Sequence, residues 1–173
     1  MRLFIAVNFD PDTKSKIAQV AKRLQDMGVL GNYSKEQNYH ITLLFLGESD
    51  ERQLFLAKNA IREIKLEPFD ITIQNLSNFA KNIVHLKVQP NENLNYIHNY
   101  LYERLKNYFT LDNSAFSPHI TLIRKPNKIP FEKNGEFRDI LPFSYRTDNV
   151  SLMLSSRQNG ELVYTPLFEH KLG

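Results

Sequence analysis

The chain contains no cysteine. That excludes disulfides, thiolate nucleophiles, zinc–thiolate sites and iron–sulfur clusters. Long apolar runs are missing too. The N-terminal one, Leu3 to Phe9, is too short to span a bilayer, is followed by charge and has no small-residue cleavage site after it. It reads as a β-strand, no membrane association is expected, and the expected compartment is cytoplasmic. No Gly-x-x-x-x-Gly-Lys loop is present, which argues against a nucleotide-powered reaction. No His-Glu-x-x-His and no third ligand at a familiar spacing accompany the histidines, which argues against zinc. The expectation is no cofactor and no metal. Neither sign of charge dominates: 22 Lys and Arg against 19 Asp and Glu leave a net charge of +3. That balance suits an anionic partner without establishing one.

What is present is enough for one sizeable core in 173 residues, with an ordinary composition of 42% hydrophobic and 24% charged residues. The expectation is a single bilobal domain over residues 1–173. Residues 2–9 read as a buried strand. Asp10-Pro11 opens a helix, with Asp as cap and Pro in the first turn, and Ile17, Val20, Leu24 and Met27 continue at helical spacing to Gly28. Tyr39 to Leu46 is a β-rich run. A second helix starts near Ser49 or Asp50 with Leu54, Ala57, Ile61 and Ile64 as its stripe. Phe69-Ile71-Ile73 and Val84-Leu86-Val88 alternate with polar residues as half-buried strands do, with a turn expected around Ser77-Asn78. A third helix after Pro90 carries Leu94, Ile97, Leu101, Leu105 and Tyr108. Residues 124–142 read as a long surface connection. Two last strands are expected at about 143–154 and 161–168, joined at Asn159-Gly160.

Within this pattern one tetrapeptide occurs twice: His40-Ile41-Thr42-Leu43 and His119-Ile120-Thr121-Leu122. A single His-x-Thr on a half-polar strand is more often chance than chemistry. Two identical copies, each in phase on an expected strand and each preceded by strand and helix, favour function. On a strand, residues i and i+2 share a face. His40 and Thr42 therefore point one way and Ile41 and Leu43 the other, and the second copy repeats this. Two similar lobes related by a rough two-fold, sheets facing each other and helices outside, would bring both polar pairs into one cleft. Two imidazoles that exchange protons near neutrality and two hydroxyls that donate to oxygen suit a phosphate ester.

These motifs and their flanks resemble the 2H phosphoesterases. Arg2-Leu3-Phe4-Ile5-Ala6-Val7, Gly31-Asn32-Tyr33-Ser34, Asn38 to Glu48, Phe116 to Lys125 and the stretch Leu152 to Leu167 are similar to the bacterial RNA 2′,3′-cyclic phosphodiesterases, also called 2′-5′ RNA ligase-like proteins. The likeness runs nearly end to end. It implies an α+β fold of two pseudo-symmetric antiparallel sheet lobes around a central cleft. It implies metal-independent hydrolysis of an RNA 2′,3′-cyclic phosphate end, or a related nucleotide, to a 2′-phosphomonoester, by a monomer. By position it implies His40 as proton donor to the 3′ oxygen, His119 as the acceptor that activates water, and Thr42 and Thr121 as phosphate holders. A pseudo-symmetric site works either way round, so the residues alone leave donor and acceptor open. The alternatives are 2′-5′ ligation, a small cyclic-nucleotide substrate, or a non-catalytic RNA-end binder; intact His and Thr in both copies argue against the last.

Other residues carry narrower expectations. The family position of Arg124 favours binding phosphate, yet strict alternation turns it away from the cleft unless it curls round at the strand end. Many relatives carry Leu where this chain has Tyr39, and Trp where it has His85, which is read as non-catalytic. His98 reads as a helix-flank residue and His170 as exposed. Tyr33 and Phe45 are candidates for stacking on a base, with core packing the better reading of Phe45. Lys125, Lys128 and Lys133 are candidates for a basic rim.

Overall fold

A computed structural model describes residues 1–130 and 135–173. Lys133 lies outside the described residues. Two antiparallel sheets form the frame. The first contains β1 (Arg2–Asn8), β3 (His40–Glu48), β8 (Asn149–Gln158) and β9 (Glu161–Lys171), in the order β3-β1-β8-β9. The second contains β2 (Asn32–Tyr33), β4 (Phe69–Phe79), β5 (Ile83–Val88), β6 (His119–Arg124) and β7 (Phe143–Thr147), in the order β2-β6-β5-β4-β7. Each motif strand therefore pairs with the strand that precedes its helix: β3 with β1, β6 with β5. The two orders superpose strand for strand once the two-residue β2 is set aside, so the two-fold expected from sequence is present in the topology.

The helices form where capping and pattern predict. Asp10 accepts from the Thr13 amide at 2.7 Å to cap α1 (Pro11–Asp26), which buries Ile17, Val20 and Leu24. Asp50 and Gln53 form a reciprocal capping box on α2 (Glu51–Arg62). Asn91 caps α3 (Glu92–Leu105), which buries Leu94, Ile97, Leu101 and Leu105. Tyr108 lies beyond that helix and is 48% exposed. Apolar faces from both sheets and all three helices merge in one core, with Ile5, Ile41 and Leu43 from the first sheet and Ile71, Leu86, Ile120 and Leu122 from the second. Motif strands β3 and β6 adjoin where the lobes meet.

Three expectations are corrected. Ser77 and Asn78 lie within β4; the reversal comes at Ala80 and Lys81, both at positive φ, with the Asn82 amide on the Phe79 carbonyl at 2.9 Å. Pairing of Ser77 with His85 and Asn78 with Val84 outweighs the local turn preference of Ser and Asn. The stretch 143–154 is not one strand. It breaks at Asp148, and β7 completes the second sheet while β8 crosses back to the first. The connection after β6 is also more than surface: Phe137 is 1% exposed, and Arg23 of α1 forms a fork with the Asp139 carboxylate at 2.6 and 2.8 Å. Among the described residues, no helix is long and apolar enough to cross a membrane.

Candidate active site

Both motif strands carry the same irregularity at the same place. In β3, Ile5 pairs with Leu44 and Ala6 with Thr42, so Leu43 is an extra residue. In β6, Val84 pairs with Ile123 and His85 with Thr121, so Leu122 is extra. These are β-bulges, and each shifts strand parity by one. Burial follows: His40 and Thr42 are partly exposed, Leu43 and Leu44 are both buried, and Phe45 is exposed; His119 to Arg124 repeat the pattern. Arg124 thus reaches the cleft face through the bulge, without curling round the strand end. Phe45 is its counterpart in the first lobe. It is 46% exposed on the cleft wall, not in the core, and the Arg2 guanidinium lies 5.1 Å from its ring centroid. The carbonyls of both bulge residues are hydrogen-bonded from outside the β1 and β5 ladders. His98 Nδ1 donates to Leu43 O at 2.7 Å, and the Ser34 amide donates to Leu122 O at 2.8 Å. His98 is therefore a structural clasp between α3 and β3. Gly31, at φ +156°, lets the chain lie against the end of β6; a Cβ there would meet Ile123 Cγ2 at 2.6 Å.

A single cleft of about 1110 Å³ is lined by His40, Thr42, His119, Thr121 and Arg124 together. The two imidazoles are held alike. His40 Nδ1 lies 2.7 Å from Asn38 O, and His119 Nδ1 lies 2.8 Å from Ser117 O, each a carbonyl two residues back. A carbonyl only accepts, so Nδ1 carries the proton in both rings, and in the neutral form Nε2 is the free base. In His40 that Nε2 is 2.9 Å from Thr42 Oγ1, whose hydroxyl donates to it when the ring is neutral. Aromatic walls fix both rings. Phe4 and Tyr164 stand 5.0 and 5.1 Å from His40, and Phe79 and His85 stand 4.8 and 5.2 Å from His119, centroid to centroid. Tyr164 belongs to the far edge of its sheet, so that sheet curls back on itself. Asn38 ties the curl, donating to Leu162 O at 2.9 Å and accepting from the Tyr164 amide at 3.3 Å.

Burial lowers the pKa of His40 to about 4, opposed by the Asn38 carbonyl and reinforced by the charges of His119, Lys14 and Arg124. The His119 pKa is lowered as well, first by burial and then by Arg124, against the Ser117 carbonyl. His85 is 3% exposed and stacked on Phe79 with centroids 4.0 Å apart. Burial, the neighbouring His119 and Lys87 bring its pKa down to about 4, opposed by the Ile83 carbonyl. It stays neutral in the fold, where the unfolded chain holds it near 6.5. His85 therefore costs stability as pH falls from about 6.5 to 4, reaching about 3 kcal/mol at pH 4. His85→Phe keeps the stacked shape without the proton. Its melting temperature should fall less than that of the parent between pH 7 and pH 4, and parallel losses would remove His85 from the acid lability.

The remaining histidine is not exposed as expected: His170 is half-buried and donates from Nε2 to Ile64 O at 2.9 Å. Tyr33 does line the cleft, with its hydroxyl on Val29 O at 2.7 Å. Lys125 and Lys128 lie outside the cleft lining, and Lys128 Nζ donates to Met27 O at the end of α1 at 2.9 Å. The cations on the cleft wall are instead Arg2, Lys35, Arg124 and Arg157. Two of these, Arg2 on β1 and Arg157 on β8, lie on other strands, where no local signal marks them.

Comparison with known proteins shows the family and the fold. The family model of the 2′-5′ RNA ligase superfamily matches residues 7–159. The RNA 2′,3′-cyclic phosphodiesterase of Archaeoglobus fulgidus is 33% identical over 135 residues, covering 75% of this chain and 76% of its own. That of Thermotoga maritima is 27% identical over 178 residues, covering 98% and 94%. Among solved structures, E. coli LigT complexed with 3′-AMP superposes with a TM-score of 0.85 at 25% identity, over 99% of this chain and 97% of that one. Matched topology, paired motifs in one cleft and a family match over most of its length make this chain a member of the 2′-5′ RNA ligase superfamily.

Proposed function

We propose that this chain, acting as one bilobal domain and as a monomer, hydrolyses an RNA 2′,3′-cyclic phosphate end to the 2′-phosphomonoester. The observation that carries the reading is the pair of imidazoles whose Nδ1 protons are tied to backbone carbonyls while both rings line one cleft. The relatives named RNA 2′,3′-cyclic phosphodiesterase supply the substrate class. Water attacks phosphorus opposite the 3′ oxygen and gives its proton to His119 Nε2. The P–O3′ bond breaks, and His40 Nε2–H protonates the departing oxygen. Thr42 and Thr121 donate to the non-bridging oxygens, and Arg124 balances their charge. When phosphate arrives, the Thr42 hydroxyl turns from His40 to the phosphate, which leaves His40 Nε2 to hold a proton. The direct test is an oligoribonucleotide 2′,3′-cyclic phosphate incubated with the protein in excess EDTA. A 2′-phosphate is expected. No product sinks the reading, and a 3′-phosphate sinks the leaving-group assignment.

The pH profile follows from the same cleft. The active pair holds one proton, and both free-protein pKa values lie below the ordinary histidine value. The bell of kcat/KM, which reports the free enzyme, should therefore be centred between about pH 4 and 6.5. Bound phosphate is anionic and favours imidazolium, so the kcat bell should sit at higher pH. A kcat/KM maximum above pH 7 contradicts the assigned environments.

A further inference from the structure

The cleft is larger than the phosphate chemistry at its centre needs. At about 1110 Å³ it exceeds the range of roughly 300–1,000 Å³ usual for small-molecule sites. Its outer wall carries two guanidiniums that the reaction at His40 and His119 does not use. Arg2 of β1 is opposite Ser155 of β8, and Arg157 lies two residues further along β8, so both project from the same face as Phe4 and Met153. Among the described residues, neither pairs with a carboxylate. Arg2 covers the Phe45 ring, and Arg157 donates to Gly160 O at 2.9 Å at the tip of the β8–β9 hairpin. Nearby carboxylates are engaged elsewhere: Glu48 with the N-terminal ammonium at 3.4 Å, and Glu161 with Lys35 across the mouth of the cleft. That ion pair and the Asn38 bonds to β9 hold the hairpin, and Arg157 with it, beside the entrance.

Two unpaired guanidiniums on one wall match a phosphodiester, because the planar fork meets two phosphate oxygens at once. We infer that Arg2 and Arg157 form a second phosphate subsite, which receives the internucleotide phosphate next to the terminal cyclic one. The inference rests on the hydrolytic reading above and adds to it the contact by which a strand end is taken in preference to a free cyclic mononucleotide.

The test measures kcat/KM for a 2′,3′-cyclic-phosphate-terminated oligoribonucleotide and for 2′,3′-cyclic AMP over a series of salt concentrations. The parent protein should prefer the oligomer, with a steeper salt dependence for it. Arg157→Gln and Arg2→Gln should each lower the oligomer-to-mononucleotide ratio by about tenfold. Each should also reduce the log–log salt slope for the oligomer by about 0.7, the value for one phosphate contact on a single strand. Lys125→Gln, an exposed charge outside the cleft, should change neither. Equal turnover of both substrates by the parent protein overturns the subsite while leaving the hydrolytic reading intact. So does an unchanged ratio in both variants, or a Lys125→Gln effect as large as theirs. Turnover of neither substrate by the parent overturns both.

Discussion

His119→Ala should lower kcat on the cyclic phosphate by about 10²–10⁴-fold, and His40→Ala by a similar factor. The size follows from the roles proposed for the two rings. One proton leaves water as another reaches the departing oxygen, and without either transfer a high-energy oxyanion or oxonium must form unaided. Both rings are held at Nδ1 by a backbone carbonyl and walled by aromatics, so neither serves as a mobile substitute for the other. The double variant should lose less than the product of the two single losses, because the pair acts as a unit. The residual pH dependence then decides which ring gives the proton. With His40 removed, only a base remains, and the rate should rise with pH to a plateau. With His119 removed, only an acid remains, and the rate should fall as pH rises. Reversed trends would exchange the two roles, and unchanged turnover in either variant would remove that histidine from the reaction.

The two His-Thr pairs of the candidate site are legible in the sequence because their signal is local. His40 and Thr42 share a face by the two-residue period of a strand, and so do His119 and Thr121, whatever lies beside them. The signal ends at Leu43 and Leu122. A bulge is a property of pairing, set by how β1 meets β3 and how β5 meets β6, and no residue type in either motif announces it. Strict alternation past the bulge turns Arg124 away from the cleft and would place Phe45 on the core face, and in each case the bulge reverses the parity. The same limit hid the split at Asp148. Residues 143–154 carry a nearly continuous β pattern, and a one-residue corner sends the two halves to different sheets. His85 has the polar parity of its strand, yet Phe79 from the neighbouring strand covers it. Basic residues near the second motif were the natural candidates for a rim. The curl of the first sheet, fastened by Asn38, instead brings Arg157 from the other end of the chain.

Arg124 is where the bulge matters most for chemistry. It occupies the cleft only because Leu122 is an extra residue, and it is the one cation of the wall on a motif strand. Arg124→Ala should reduce kcat by about 10²–10³-fold, the usual cost of losing a fixed donor to charge that builds in the transition state. Arg124→Lys keeps the charge without the planar fork and should fall between the two. A merely structural arginine could lower activity too, so the rate alone is not enough. The charge of Arg124 also depresses the pKa values of His40 and His119. Removing it lets both rings hold a proton more readily, so the kcat/KM bell of Arg124→Ala should move to higher pH, while that of Arg124→Lys should stay near the parent profile. A loss of rate with no displacement of the bell would mean that Arg124 does not face the histidines. In that case the two bulges would not be equivalent in function, even though their registers match residue for residue.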